Sequence, residues 1–316
     1  MAARIVVIGS ANTDLVVRVP DLPRPGQTVL GGEFASVGGG KGANQAVAAA
    51  RAGGQTTFVA KLGADAFGDA AVAAFAADGI DTRFVTRAAG PSGVAFILVD
   101  RRGENCIAVA PGANDLLSPA DIEAAREAIA AADVVLVQLE IPLETVRHAV
   151  AVAAAAGRRV ILNPAPARPL DAELLGRVDL ITPNETEAEL LCGFPVADER
   201  AAATAAERLR AIGPRAAIIT LGPRGCVCAD GAAPRHVPGH VVEPVDTVAA
   251  GDVFNGCLAV ALAEGHELSA AAEFANAAAA IAVTRAGAQA SAPWRHEILK
   301  RQAGHEPRSG AAACAS

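Results

Sequence analysis

The run Arg4-Ile5-Val6-Val7-Ile8 is a short block of largely β-branched side chains that ends at Gly9-Ser10, where the chain can turn. A run so short and so apolar fits a buried strand better than a helix. Runs of the same kind recur at Thr56 to Ala60, Val134 to Val137, Arg159 to Leu162, Leu180 to Thr182 and Ala216 to Thr220. Alanine-rich stretches with helical spacing separate them, at Gly42 to Ala52, Phe67 to Asp78, Pro119 to Ala131, Leu143 to Ala156, Asp198 to Ile212, Gly251 to Glu264 and Ser269 to Thr284. This alternation predicts an α/β fold with a largely parallel sheet, whose ligands gather at the carboxyl ends of the strands.

Two segments break the rhythm. Asp14 to Val37 and Gly93 to Ala108 carry short alternating pieces, such as Val16-Val17-Arg18-Val19, joined by Pro, Gly and Asp turns. They read as antiparallel strands outside the main sheet, a small inserted β-sheet acting as a lid. The chain then divides into a core of residues 1–13, 38–92 and 109–299, a lid of 14–37 and 93–108, and a disordered tail from 300 to 316.

The 316 residues carry 27 basic and 34 acidic side chains, a net charge of −7, so the chain has no electrostatic footprint for a nucleic acid. Nine Phe, one Trp and no Tyr leave little for base stacking, so polar side chains must do the recognition. No apolar run approaches the ~18 residues of a membrane span, and Ile5 to Ile8 is too short for a signal-peptide core. The chain is expected in the cytoplasm, with no membrane partner. Its six cysteines, at 106, 192, 226, 228, 257 and 314, lack paired C-x-x-C units and read as buried or idle thiols.

Three constellations remain. Gly38-Gly39-Gly40-Lys41-Gly42-Ala43-Asn44 runs into a helix and lets backbone approach a ligand closely; it matches neither a Walker A loop nor G-x-G-x-x-G, and by itself it is equally a tight turn. Asp246-Thr247-Val248-Ala249-Ala250-Gly251-Asp252 precedes an apolar helix whose first-turn amides form an anion hole. Phosphoryl transfer needs such donors together with a carboxylate that accepts the nucleophile's proton, and both fit this turn. Asn184-Glu185-Thr186-Glu187 reads as a capping box or as carboxylates near a magnesium-nucleotide, and Thr220-Leu221-Gly222-Pro223-Arg224-Gly225 as a phosphate loop or a hairpin turn. Spacing leaves both pairs open.

Taken together, Gly39 to Asn44 with Gly53 and Gly63, and Asp246 to Gly256, resemble the two signatures of the ribokinase/phosphofructokinase-B sugar kinase family. The likeness runs from about Ile5 to Ile298 and extends to Gly9 to Asp14, Gln138-Leu139-Glu140, Asn163 to Arg168 and Ala282 to Gln289. It implies a three-layer α/β/α fold and transfer of the γ-phosphoryl group of Mg-ATP to the 5-hydroxyl of D-ribose. By that resemblance Asn12, Asp14, Gly39, Gly40, Lys41, Asn44 and Glu140 form the sugar pocket and Asp252 is the general base. Ala249, Ala250 and Gly251 supply the anion hole, and Asn184, Thr220, Gly222, Gly225, Gly251 and Asn276 line the nucleotide site. Glu187 helps to order Mg²⁺ through water, and Asp246, Val248, Ala282, Arg285, Gly287 and Ser291 hold K⁺, mostly through backbone carbonyls. A homodimer through the lid is implied as well.

The departures from the family pattern are Pro223, Val253, Cys257 and Asn276, none of them at the base or the anion hole. The nearest rival is a deoxyribokinase or another pentose or nucleoside kinase of the family. A rival of another class, a catalytically silent sugar-binding regulator, is expected to lose Asp252 or the glycines, and both are present.

Overall fold

Alternate residues of the first strand, β1 (Arg4–Ile8), enter opposite apolar layers: Ile5 and Val7 one, Val6 and Ile8 the other. A strand apolar on both faces must be covered on both faces, which is the condition of a parallel sheet packed between helices. The computed structural model describes residues 2–30 and 32–305. In chain order the further strands are β2 (Asn12–Arg18), β3 (Phe34–Gly39), β4 (Gln55–Gly63), β5 (Asp81–Ala88), β6 (Gly93–Val99) and β7 (Asn105–Ala110). They continue with β8 (Val134–Val137), β9 (Arg159–Leu162), β10 (Leu180–Ile181), β11 (Ala216–Thr220), β12 (Cys226–Ala229) and β13 (Arg235–Val237).

The large sheet has the order β13-β12-β11-β10-β9-β8-β1-β4-β5. From β5 to β11 every pairing is parallel, while β12 and β13 close one edge antiparallel. The helices are α1 (Lys41–Arg51), α2 (Ala66–Ala77), α3 (Pro119–Ala124), α4 (Arg126–Ala131), α5 (Leu143–Ala155), α6 (Ala172–Leu175), α7 (Glu185–Cys192), α8 (Glu199–Ile212), α9 (Ala250–Ala263), α10 (Leu268–Ala282) and α11 (Arg295–His305). One apolar layer joins β1 and β4 to α1, α2, α9, α10 and α11, and the other joins them to α3 through α8. The result is the three-layer α/β/α arrangement. Among the described residues no helix is long and apolar enough to cross a membrane.

The second sheet has the order β3-β2-β6-β7 and stands apart from the first. Its outer pairings are antiparallel, as the sequence predicts, but β2 and β6 pair in parallel, with Asn12 opposite Gly93. Both strands leave the large domain at the same end, which makes the central pairing parallel.

Other expectations also need correction. The single helix expected over Pro119 to Ala131 is two, because the chain tightens at Ala125, whose N–H bonds Ile122 O at 3.1 Å. Helix α11 runs to His305, past Lys300 where a disordered tail is expected to begin; residues 306–316 lie outside the described residues. Of the cysteines read as buried or idle, Cys226, Cys228 and Cys257 are buried, Cys192 is half-buried and Cys106 is exposed on β7, while Cys314 lies outside the described residues. Strands β5 and β13 escape the sequence reading because edge strands keep a mixed polar face.

Candidate active site

The large sheet changes direction at β1, which has β4 on one side and β8 on the other, so the crevice above their carboxyl ends is the expected place for a ligand. Gly9-Ser10 leaves β1 there, and Gln138 to Glu140 follows β8. Helix α1 starts against them, with Gly40 as its N-cap at φ 86°. A Cβ on Gly42 would lie 2.6 Å from the backbone of Gly9, so only glycine lets this helix touch the end of β1. Glu140 Oε2 accepts from Ser10 Oγ at 2.6 Å and from Lys41 N at 3.0 Å, fastening the same corner.

Above it, Asn12 pairs with Gly39 across β2 and β3, and Asn12 Oδ1 accepts from Asn114 Nδ2 at 2.7 Å. A Cβ on Gly39 would come within 2.2 Å of Asp14 Oδ2, so the bare backbone makes room for that carboxylate. The structure therefore brings Asn12, Asp14, Gly39, Gly40, Lys41, Asn44 and Glu140 to one polar mouth.

Asp252 lies in the first turn of α9 and is only 5% exposed. Each of its oxygens takes one amide donor: Asn44 Nδ2 on Oδ2 at 2.9 Å and Gln45 Nε2 on Oδ1 at 3.0 Å. Because the carboxylate claims the Asn44 nitrogen, Asn44 Oδ1 is left buried with no hydrogen-bond partner, a free acceptor facing the site. Ala249, the N-cap, is at φ 58°, the one non-glycine among the described residues with positive φ. Such a conformation costs of order 1–3 kcal/mol and is kept where the turn must present its amides. The Ala250 N–H bonds back to Thr247 O at 3.3 Å, so the first-turn amides of Gly251 and Asp252 are the better donors of the expected anion hole.

Burial pushes the Asp252 carboxyl above its ordinary range, partly offset by Lys41 and its two amide donors. Burial, then Glu140 and Asp252, push Asp14 up to about 6. Burial also raises Glu187. Burial pulls the Lys41 ammonium down, yet Asp252, Glu140 and Glu187 outweigh it and hold Lys41 above its usual value. The site is a cluster of acids around one lysine.

Next to Asp252 opens a cleft of ≈ 560 Å³ lined by Thr220, Gly222, Gly225, Gly251 and Asn276, which brings together five of the six residues expected to bind nucleotide. The sixth, Asn184, bridges to Thr220 at its edge. Pro223, Phe254 and Ala280 add apolar wall that the sequence reading did not assign. Asn276 Nδ2 is spent on Val237 O at 3.3 Å and Pro238 O at 3.2 Å, bracing that wall. The capping box forms, with Asn184 Oδ1 on Glu187 N and Glu187 Oε2 on Asn184 N, both at 2.9 Å. It fixes Glu187, whose charge still reaches Lys41 and Asp252.

In the loop expected to hold a monovalent cation, Asp246 Oδ1 accepts from Val248 N and Oδ2 from Gly287 N, both at 2.9 Å. The carboxylate thus caps its own turn and also ties it to the segment after α10. Ser291 is fully buried beside them, and its Oγ bonds Ala288 O at 2.7 Å. The Ala282 carbonyl accepts from Arg285 N at 2.9 Å.

Gln45, Asn114, Asn163, Thr182 and Asn255 are buried polar partners to which the sequence reading gives no role. A signal existed in their setting: Gln45 and Asn255 interrupt helices that are otherwise almost wholly apolar on the buried side.

Fold and site together are those of an ATP-dependent sugar kinase. The chain belongs to the pfkB family of carbohydrate kinases, whose model matches residues 2–295. It is 44% identical to the ribokinase of Haemophilus influenzae over 95% of this chain and 98% of that one. It is 39% identical to the deoxyribokinase of Salmonella typhi, over 92% of this chain and 95% of the relative. The solved structure of Arabidopsis thaliana ribokinase with ribose and ATP superposes with a TM-score of 0.88 at 33% identity, over 96% of this chain and 99% of that chain.

The raised Asp14 carboxyl makes a pH prediction. Its value of about 6 in the folded state exceeds its ordinary 3.8, so the folded protein binds the extra proton between those values and loses that stabilisation as pH rises through 6. Asp14→Asn should therefore raise the thermal midpoint at pH 7.5, and the gain should vanish as pH falls towards 4. Scanning calorimetry at both pH values checks this, and an equal shift at both would assign the effect to something other than Asp14's charge.

Proposed function

We propose that this chain transfers the γ-phosphoryl group of Mg-ATP to the 5-hydroxyl of D-ribose, giving ribose 5-phosphate and ADP. The observation that carries the reading is the position of Asp252. It is bonded to Asn44 of the polar mouth and follows Gly251, which lines the adjoining cleft. A hydroxyl in the mouth meets a phosphate in the cleft at this carboxylate.

A pentose presents several hydroxyls, and Asn12, Asp14, Asn44 and Glu140 offer buried carboxylate and amide groups that discriminate against an analogue leaving one of them unpaired. Asp252 accepts the proton of the 5-hydroxyl as its oxygen bonds to the γ-phosphorus. The bond to the β-phosphate oxygen breaks and ADP leaves with that electron pair. Burial, which raises the carboxyl, also makes Asp252 a stronger proton acceptor. The amides at the start of α9 face the charge that builds on the transferred group. Glu187, a single fixed carboxylate beside the phosphate path, suits Mg²⁺, which takes one or two carboxylates together with phosphate and water and supplies charge neutralisation. The likeness to a deoxyribokinase keeps 2-deoxyribose as the second reading, and comparing kcat/KM for ribose and 2-deoxyribose on purified protein separates the two.

Asp252→Asn, nearly isosteric but unable to take the proton, should lower kcat by roughly 10²–10⁴ while the ribose dissociation constant stays within a few-fold. Wild-type turnover in that variant would unseat the base. We read Asp246, Val248, Ala282, Arg285, Gly287 and Ser291 as a K⁺ site that stiffens the turn bearing the α9 amides. Turnover in K⁺ should exceed that in Na⁺ or tetramethylammonium at equal ionic strength by about tenfold, as expected when one anion-hole donor loses part of its aim. Equal rates in all three would remove the site.

We read the small sheet as a lid and as the dimer interface. Phe34 and Phe96, 66% and 55% exposed, stand by strand alternation on the face opposite Asp14. Sedimentation should give a dimer for the wild type and a monomer for Phe96→Asp; a wild-type monomer at micromolar concentration would refute this.

A further inference from the structure

Five polar residues that the reaction itself does not use form a line behind Asp252. Gln138 Nε2 donates to Gln45 Oε1 at 2.5 Å, and Gln45 Nε2 donates both to Asp252 Oδ1 and to Asn163 Oδ1 at 3.0 Å. Asn163 Nδ2 donates to the Thr182 carbonyl at 3.2 Å. The same Thr182 donates its Oγ1 to Asn255 Oδ1 at 2.6 Å, and Asn255 Nδ2 donates to Gly251 O at 2.8 Å. Gln45, Gln138 and Thr182 are at most 1% exposed.

The directions of Asn163, Gln45 and Gln138 follow from the Thr182 carbonyl, and that of Asn255 follows from the Gly251 carbonyl. A backbone carbonyl only accepts, so Asn163 must turn its nitrogen to Thr182 O and its oxygen to Gln45. That oxygen requires the Gln45 nitrogen, whose second hydrogen then falls on Asp252. A reversed Gln45 would set its oxygen against Asn163 Oδ1 and a carboxylate at once, two acceptors facing an acceptor. The other end of the line bears the cost: Gln138 Oε1 is buried with no hydrogen-bond partner. The direction is therefore imposed from Thr182 and Asp252 and only completed by Gln138. Through Asn255, Thr182 also holds the Gly251 carbonyl, and because a trans peptide points C=O and N–H oppositely, it sets the aim of the Asp252 N–H.

We propose that Gln45, oriented by Asn163 and the Thr182 carbonyl, is a positioning residue that fixes the plane and charge state of the catalytic carboxylate. Thr182, at the end of β10, is then the common anchor of the base and of the peptide that presents the anion-hole donor. The proposal rests on the reading of Asp252 as the base, and its test separates the two. Lys41, Glu140, Asp14 and Glu187 also face Asp252 and stay unaltered in every variant below.

The experiment compares the wild type with Gln45→Met and Gln138→Met, which keep side-chain length and remove the hydrogen bonds. The titration of the Asp252 carboxyl is followed directly by ¹³C NMR of aspartate-labelled protein and assigned by its loss in Asp252→Asn. Gln45→Met should move the midpoint upward by about one pH unit, since a donor to the ionised form is lost. Gln138→Met should move it far less. The acid limb of kcat/KM should follow the carboxyl in Gln45→Met, with ribose affinity within about threefold of wild type. An unmoved carboxyl midpoint in folded Gln45→Met overturns the proposal, as does an equal shift in Gln138→Met. A shifted carboxyl with an unshifted rate limb supports the hydrogen-bond line and overturns the base instead. Should Gln45→Met fail to fold, Asn163→Leu, which removes the orienting acceptor together with its own bond to the Thr182 carbonyl and leaves Gln45 in place, must give a smaller shift of the same sign, and no shift there counts against the proposal.

Discussion

Asp252 reaches Asn44 and Gln45 because glycines let α1 lie close against the end of β1, at Gly42, and against α9, at Gly256. A Cβ on Gly42 would strike the backbone of Gly9 and Ser10, and one on Gly256 would lie 2.5 Å from Gln45 O. These two glycines set the depth at which α1 sits, and that depth sets every distance around the carboxylate. Two helices and a strand end held at backbone contact behave as one rigid body, so the amides that grip Asp252 have little freedom to drift.

Around this rigid corner the charges are arranged against one another. Glu140, Glu187 and Asp252 crowd about Lys41, Asp14 stands beside Glu140 and Asp252, and burial makes the repulsion among these acids count. Such a cluster is poorly matched to an empty, dry site and well matched to one filled by hydroxyl groups, which donate to carboxylates without adding charge. The unpartnered Asn44 Oδ1 has the same meaning. The polar mouth is lined by acceptors, whereas the neighbouring cleft is walled by Phe254, Ala279, Ala280 and Val283. The two halves differ in chemistry, and the first turn of α9 is the seam between them.

The departures from the family pattern fall where they disturb this least. Val253 and Cys257 are buried in the layer beneath the sheet's end, and burial holds the Cys257 thiol up at about 12, so it stays protonated packing material. Asn276 turns its nitrogen to two carbonyls of the segment after β13, which makes it a brace for the cleft wall.

Much of this was legible in the chain itself. The β-branched runs gave the parallel strands of the core, because a strand buried on both faces has no polar alternation to confuse the reading. The glycine run and the Asp246 to Asp252 turn marked both halves of the site, because backbone approach and helix-start donors are local properties of consecutive residues. Tertiary structure alone decided the rest. The central parallel pairing of the small sheet depends on where two distant segments enter it. The line from Thr182 through Asn163 and Gln45 to Asp252 joins groups from separate elements; the setting of Gln45 marks it as a buried polar residue but not which groups it meets. Hydrogen-bond direction passes through space from one fixed carbonyl, and no spacing along the sequence records it.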